Sequence, residues 1–459
     1  MSAPGTGWGA APGAAGGGPR PHVAVVGAGL AGLAAGLALT RAGCRVTVLE
    51  RSRLLGGKAT SFVTGGREVD NGQHVILGCC TAFLELAEEL GMRRELHLQE
   101  RFEVLMLSAS GPARLRALDL PAPFHLALPF LRFRALGARA RMAVAWALLA
   151  ARRSDPEREE MEPFTAWLAR HHQGAEARRA FWEPFVVPAV NAPLGAVSAA
   201  AALFVVRTAF LGDSGAARIG WATVPLARFA ERAAGRLDAV RLRSAVTGVE
   251  IAGGRLRALR VGAEAGGSEE LDEVDAAVIA IPPERLRRLR GLDALGVRDL
   301  EGFRSQPIVD VHLLYEGAAP LGFEFAALTG SPVQWVFTKG EGYLCCSLSS
   351  AAEWIGEPEE RLVALADREL RRRVPALAGA RLAHGAATRD PEATFVPAPG
   401  LHRPGPRTAL PNVVLAGAWT DTGWPATMEG AVRSGRRAAA ALLGTLGAPR
   451  ARPAETVHA

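Results

Sequence analysis

The sequence predicts an α/β fold (α+β overall): a Rossmann-type nucleotide-binding domain of discontinuous segments, with a mixed substrate domain inserted. Three observations predict it. A β-branched run ends in a glycine-rich turn that opens a helix, "HVAVVGAGLAGLAAGLALTRAGCRVTVLE" at 22–50. Buried-strand patterns return far downstream in "VDAAVIAIPP" and "NVVLAGAWT". Between them lie a section rich in Leu, Phe, Trp and Arg and an irregular, aromatic-bearing one. Segments 22–100, 211–290 and 386–446 are therefore expected to form the nucleotide domain. Segments 101–210 and 291–385 are expected to form the substrate domain, and 1–21 and 447–459 read as tails.

A chain of 459 residues is long enough for two connected domains. Apolar residues at 49% and charged residues at 22% are ordinary for a globular protein. The formal net charge is +7. Of the 53 basic residues only Lys58 and Lys339 are lysines, and the arginines are spread along the chain without a recognised nucleic-acid motif. Nucleic acid is thus not an expected partner, and an anionic membrane surface suits the charge better. The five cysteines contain no C-x-x-C, and two adjacent pairs plus one residue make a poor disulfide framework, so a reducing cytoplasm is expected. No metal-ligand spacing appears. The start has no apolar signal-peptide core, and no run reaches the ~20 apolar residues that span a bilayer.

The first element carries the clearest chemistry. Gly27-x-Gly29-x-x-Gly32 follows a strand and opens a helix, the context a dinucleotide fingerprint requires. Gly27, with Ala28 beside it, permits the tight turn; Gly29 lets the backbone approach a pyrophosphate; Gly32, next to Ala31, lets helix pack on strand. The pyrophosphate would then meet the helix N-terminus. Glu50 ends the second strand 23 residues after Gly27, placed to accept from a ribose. The next stretch, "ERSRLLGGKATS", holds Arg51, Gly56, Gly57 and Lys58: a second close backbone approach with a positive charge for phosphate. Near the C-terminus, "LAGAWTDTGWPATMEGAVRSGRRAA" reads as a strand ending at Gly417 and a helix opening near Met428.

This R-x(4)-G-G-[RK]-x-x-[ST] element resembles that of the flavoprotein superfamily containing amine oxidases and phytoene desaturases, which implies FAD. The C-terminal stretch resembles the flavin motif of the same superfamily, which implies flavin contacts at Gly417, Met428 and Glu429 and an adenine-side contact at Val246. Many relatives carry an acidic residue directly after the Ala-Gly. Here Ala418 stands there, and Asp421 is expected to substitute. An amine oxidase would need an aromatic cage, yet the place before M-E-G-A is Thr427 and the chain has only Tyr315 and Tyr343. "VDNGQHVILGCCTAFLELAEELG", "FWEPFVVPAVNAPLGAVSAAAALFVVR" and "VQWVFTKGEGYLCCSLS" together resemble hydroxysqualene dehydroxylases, the squalene-associated FAD-dependent desaturases of bacterial hopanoid pathways. The resemblance implies reductive loss of an allylic hydroxyl, a polyprenoid lipid substrate and an external electron donor. An oxidative polyprenoid desaturase and a non-catalytic lipid carrier are the competing expectations.

A thirty-carbon substrate needs an apolar tunnel, each buried CH₂ contributing about 0.8 kcal/mol. Trp182, Phe185, Val187, Phe204, Phe210, Trp335 and Phe337 are its expected lining. His74, Asp421 and Glu429 are the candidate proton donors to the leaving hydroxyl. Within "VDNGQHVILGCC", read as one continuing strand, Asp70 and His74 share a face while Cys79 and Cys80 recede into packing. Residues 125–153 hold a short apolar run between Arg139, Arg141, Arg152 and Arg153, expected to rest on the inner face of the cytoplasmic membrane.

Overall fold

In the computed structural model, residues 20–446 are described, apart from 65, 109–110 and 263–267. The C-terminal tail expectation and residues 1–19 of the N-terminal one lie outside the described residues. Arg20, assigned to that tail, instead pairs with Asp238 at 3.0 Å.

Five short apolar strands form one parallel sheet in the order Ala239–Arg241, Arg45–Leu49, His22–Val26, Ala276–Ile279, Val413–Leu415. Its strands come from three separated stretches of chain, because β-branched runs buried on both faces pair wherever the chain returns. Helices Leu30–Arg41 and Met428–Leu446 pack together on it. They approach closely because Gly435 lies against the Ala31 carbonyl, where a Cβ would sit 2.1 Å away.

The second sheet has seven strands, ordered Arg381–Phe395, Ser305–Glu316, Tyr343–Leu348, Trp335–Gly340, Phe325–Leu328, Glu103–Ser108, Gly111–Arg116. Only the pairing of Phe325–Leu328 with Glu103–Ser108 is parallel. The boundary expected at 386 falls inside the strand Arg381–Phe395, whose long pairing with Ser305–Glu316 crosses it. Alternation divides this sheet into two chemistries. Val309, Val311 and Leu313 face one way with Val336 and Cys346 and pack on Leu362, Leu365 and Leu370 of helix Glu359–Arg371. Asp310 and His312 face the other way, beside Ser347, Cys345, Trp335 and Phe337. Helices between Phe124 and Phe210 cover that second face and bury a cluster of Phe and Trp against it.

"VDNGQHVILGCC" is not one strand. Arg67–Asp70 ends at a turn, the strand resumes only at Ile76–Leu77, and Cys80 precedes helix Thr81–Glu89. Asn71 and Gly72 break the ladder: Gly72 adopts φ +97° and its N–H donates back to the Asp70 carbonyl at 2.8 Å.

Candidate functional site

One cavity of about 980 Å³ runs from the carboxyl ends of the parallel sheet to the polar face of the seven-stranded sheet. That is the place where open α/β sheets bind ligands. At its nucleotide end, Gly27, Gly29 and Ala31 line the wall, with Glu50, Arg51, Gly57, Lys58 and Val246. Gly32 stays out of it and serves packing, since a Cβ there would lie 2.0 Å from the Gly27 carbonyl. Ala28 likewise works from behind, donating its N–H to Glu50 Oε2 at 2.8 Å while Ser52 N–H reaches Oε1 at 2.8 Å. The buried Glu50 carboxylate is thereby held rigid at the strand end. Gly57 adopts φ +61°, and a Cβ on it would lie 3.1 Å from Gly29 Cα. Two backbones therefore meet without side chains, a cradle open to a pyrophosphate. Lys58 leans on the Glu392 carbonyl and on Asp390, 3.8 Å away. Arg285 and Arg288 also line this end; lying in an ordinary-looking arginine-rich stretch, they carried no sequence signal.

At the far end, Gly417, Ala418, Met428 and Glu429 line the cavity where helix Met428–Leu446 begins. Glu429 is 1% exposed. Its carboxylate accepts from Ala82 N–H at 3.0 Å, Phe83 N–H at 2.8 Å and Arg433 Nε at 2.6 Å. These bonds tie it to the start of helix Thr81–Glu89, which sets it as a helix cap rather than a proton donor. Asp421 is a plainer correction. It is exposed, outside the cavity wall, and accepts from Gly423 N–H at 3.2 Å in a surface turn. The turn carries it outward, so it does not stand in for the acid absent at Ala418. Arg403 gathers the carbonyls there, bonding those of Ala418 at 2.8 Å and Trp424 at 2.7 Å.

The apolar wall holds Phe185, Phe204, Phe210, Trp335 and Phe337 of the expected lining, joined by Trp424, while Val187 lies outside it. Phe204 and Trp424 meet edge to face at 5.1 Å, Phe185 and Phe210 at 4.9 Å. Trp335 is anchored by its indole N–H on the Pro184 carbonyl at 3.1 Å. Trp182 is not part of the wall. It is wholly buried, donates to Gln173 Oε1 at 2.9 Å and packs on Phe164 and Phe181, and the Phe181 ring that also meets Phe185 shields it from the cavity.

His74 does reach the cavity, with Nε2 buried and bonded to no protein atom. Burial lowers its pKa, leaving a neutral imidazole at neutral pH. Cys79 and Cys80 also line the cavity rather than receding into packing, since the break after Asp70 re-aims them. A hydrogen bond between the two thiols lowers the first and raises the second. Cys345 and Cys346 are buried in their strand. Asp310, Ser347 and Thr388 form a polar patch on the same wall, which sequence alone did not reveal.

The family described as flavin containing amine oxidoreductase matches residues 30–443. The chain belongs to this family. Hydroxysqualene dehydroxylase of Rhodopseudomonas palustris is 31% identical over 447 residues, covering 92% of this chain and 98% of the relative. Zeta-carotene desaturase of Zea mays is 24% identical, covering 93% and 84%. Cyclohexylamine oxidase of Brevibacterium oxydans shares the fold, with a TM-score of 0.66 at 21% identity, over 93% of this chain and 100% of that structure. The protein is an FAD-dependent oxidoreductase.

The residues present fit FAD. The Gly29–Gly57 cradle, Glu50 and the helix opening at Leu30 would hold the adenosine and pyrophosphate, and Gly417 and Met428 border the rest. Bound there, the cofactor supplies two-electron hydride chemistry. The chain's own contribution is to bind and orient an apolar substrate along the aromatic wall, exclude water from it, and present a few polar groups at one point.

Proposed function

We propose that this enzyme reductively removes the hydroxyl of hydroxysqualene and releases squalene, with reduced FAD as hydride source and an external donor restoring it. The observation that carries this reading is the shape of this cavity. A long aromatic wall suits a hydrocarbon chain, and a compact polar patch suits one oxygen function. Loss of an allylic hydroxyl leaves electron-poor carbon that takes hydride, provided water is kept away and the oxygen is protonated. His74 lines the same cavity as a neutral imidazole whose Nε2 has no protein partner. The relative acting on zeta-carotene favours a second reading, oxidative desaturation of a polyprenoid in the same cavity.

An anaerobic assay separates the two. Purified holoenzyme, oxidised or chemically reduced, is mixed with hydroxysqualene or phytoene, and products are identified by mass. Squalene formed with flavin reoxidation supports the first reading; a desaturated product from oxidised enzyme alone overturns it.

No helix among the described residues is long and apolar enough to cross a membrane. The substrate's insolubility supports delivery from a bilayer, at the inner face of the cytoplasmic membrane, and the surface has a suitable patch. Phe124, Leu128 and Leu131 on helix Phe124–Leu131 are exposed, as are Met142, Trp146 and Leu149 on helix Ala138–Ala151. The latter three recur at helical spacing opposite the buried Val144 and Ala147. Arg139, Arg152 and Arg153 are exposed around them, whereas Arg141 is turned onto the Leu131 and Leu136 carbonyls. This patch would rest in the headgroup plane.

A further inference from the structure

We propose that Asp310 is the proton donor of this site, protonating the substrate hydroxyl as it departs; the assignment rests on the dehydroxylase reading above. Asp310 stands mid-strand in Ser305–Glu316, on the face that walls the cavity, and is 1% exposed. Its Oδ2 accepts from Gln73 N–H at 3.3 Å. Its Oδ1 has no hydrogen-bond partner in the protein. The D-N-G-Q-H turn exists for this contact: Gly72 folds back at φ +97°, and a Cβ there would lie 3.3 Å from Asp310 Oδ2.

The neighbours converge on the same spot. Across the sheet Asp310 pairs with Ser347 on one side and Thr388 on the other. Thr388 Oγ1 and His74 Nε2 are, like Asp310 Oδ1, buried without protein partners. Ser347 in turn pairs with Trp335, so two strand spacings, about 10 Å, separate the carboxyl from the start of the aromatic wall. A hydrocarbon lying on that wall would bring its oxygen function to the carboxyl.

The acid must be the protonated partner, and burial moves the carboxyl towards that form, leaving about a tenth of it protonated at pH 7. Desolvation raises the Asp310 carboxyl to about 6, against the Ser347 hydroxyl, the Gln73 N–H and Lys339, which favour the charged form. Other titratable groups face it from each packed element. These are His74 and Asp70 from the turn, His312 on its own strand, Cys345 and Tyr343 from the next and Asp390 from the outer one; Cys346 lies on the reverse face. His312 is pushed down to about 4 by burial and bonds the Tyr343 hydroxyl at 2.8 Å, so it adds no charge at neutral pH. His74, neutral and without a dissociable imidazolium proton, is not the donor.

The step balances simply. The allylic C–O bond breaks, its oxygen takes the Asp310 proton and leaves as water, and the new C–H bond takes hydride from reduced flavin. The substrate is reduced, the flavin oxidised, and Asp310 is left as a carboxylate that solvent reprotonates.

The test uses full-length holoenzyme, reduced chemically without oxygen, in single turnovers of hydroxysqualene across pH, with Asp310→Asn and Asp310→Glu. The wild-type rate should fall as pH rises through about 6. Asp310→Asn should slow turnover by about 10²–10⁴-fold with flavin content intact and the pH-dependent limb gone. Asp310→Glu should recover part of the rate. Isotope-edited infrared spectra of oxidised holoenzyme should show a protonated-carboxyl band at pH 5 that disappears at pH 8 and is missing in Asp310→Asn. Wild-type conversion matched in rate and pH profile by Asp310→Asn overturns the assignment alone. A missing carboxyl band also overturns it. Absence of squalene from wild type overturns the dehydroxylase reading and the donor with it.

Discussion

Replacing Glu429 separates a structural carboxylate from a catalytic one. In Glu429→Ala the N–H groups of Ala82 and Phe83, both on buried residues, lose their acceptor. A buried donor left unsatisfied costs about 1–3 kcal/mol. Arg433, partly exposed, turns to solvent and to Thr81 Oγ1 at 2.9 Å, so its loss adds little. The two donors together give about 4 kcal/mol, consistent with breaking a buried charged contact. At about 2–4 °C per kcal/mol for a domain of this size, Tm should fall by about 10 °C. Glu429→Gln retains one acceptor oxygen and should lose about half as much. Thermal unfolding of holoenzyme, followed by circular dichroism and flavin release, reads the shift. Single-turnover rates measured well below Tm should stay within a few-fold of wild type for Glu429→Gln. An unchanged Tm with turnover abolished would refute the capping argument and make Glu429 a chemical participant.

Gly57→Val places a branched Cβ against Gly29 Cα from a left-handed backbone, so purified protein should lose most of its visible flavin absorbance while staying folded by circular dichroism. Retention of stoichiometric flavin would contradict the cradle. Because folding raises the Asp310 carboxyl from 3.8 to about 6, its burial costs nothing below pH 3.8, costs more as pH rises to about 6, and is constant above. Asp310→Asn should therefore be more stable at pH 7 by about 3 kcal/mol and unchanged near pH 3.5, read as Tm against pH. Trp146→Glu combined with Met142→Glu should abolish flotation with anionic vesicles at low salt while leaving Tm within a few degrees, since both side chains are exposed. Vesicle binding equal to wild type would exclude this face.

The cofactor half of the site was legible because its chemistry is contiguous. Gly27, Gly29, Gly32 and Glu50 act through backbone geometry within one strand–turn–helix–strand unit, and spacing encodes that geometry directly. Gly57 and Gly417 were legible for the same local reason. The substrate half was legible in its apolar lining, where Phe185, Phe204, Trp335 and Phe337 line the cavity, but not at its polar end. Asp310 acquires its character from Ser347 and Thr388, which sheet register sets beside it, from Gln73, which a distant turn brings in, and from burial that no local pattern reports. Packing against Phe164 and Phe181 and a bond to Gln173 hold Trp182 in the core, while Phe185, three residues later, reaches the cavity. A surface turn took Asp421 outward, while Glu429, eight residues on, became a cap for a helix over 340 residues away in sequence. Short-range backbone stereochemistry thus determined the fold class and a dinucleotide site from sequence alone, and the resemblance carried by the glycine–lysine element narrowed the dinucleotide to FAD. Which polar groups end up dry, unpaired and facing the same cavity is a property of long-range packing, and only the tertiary structure decided it.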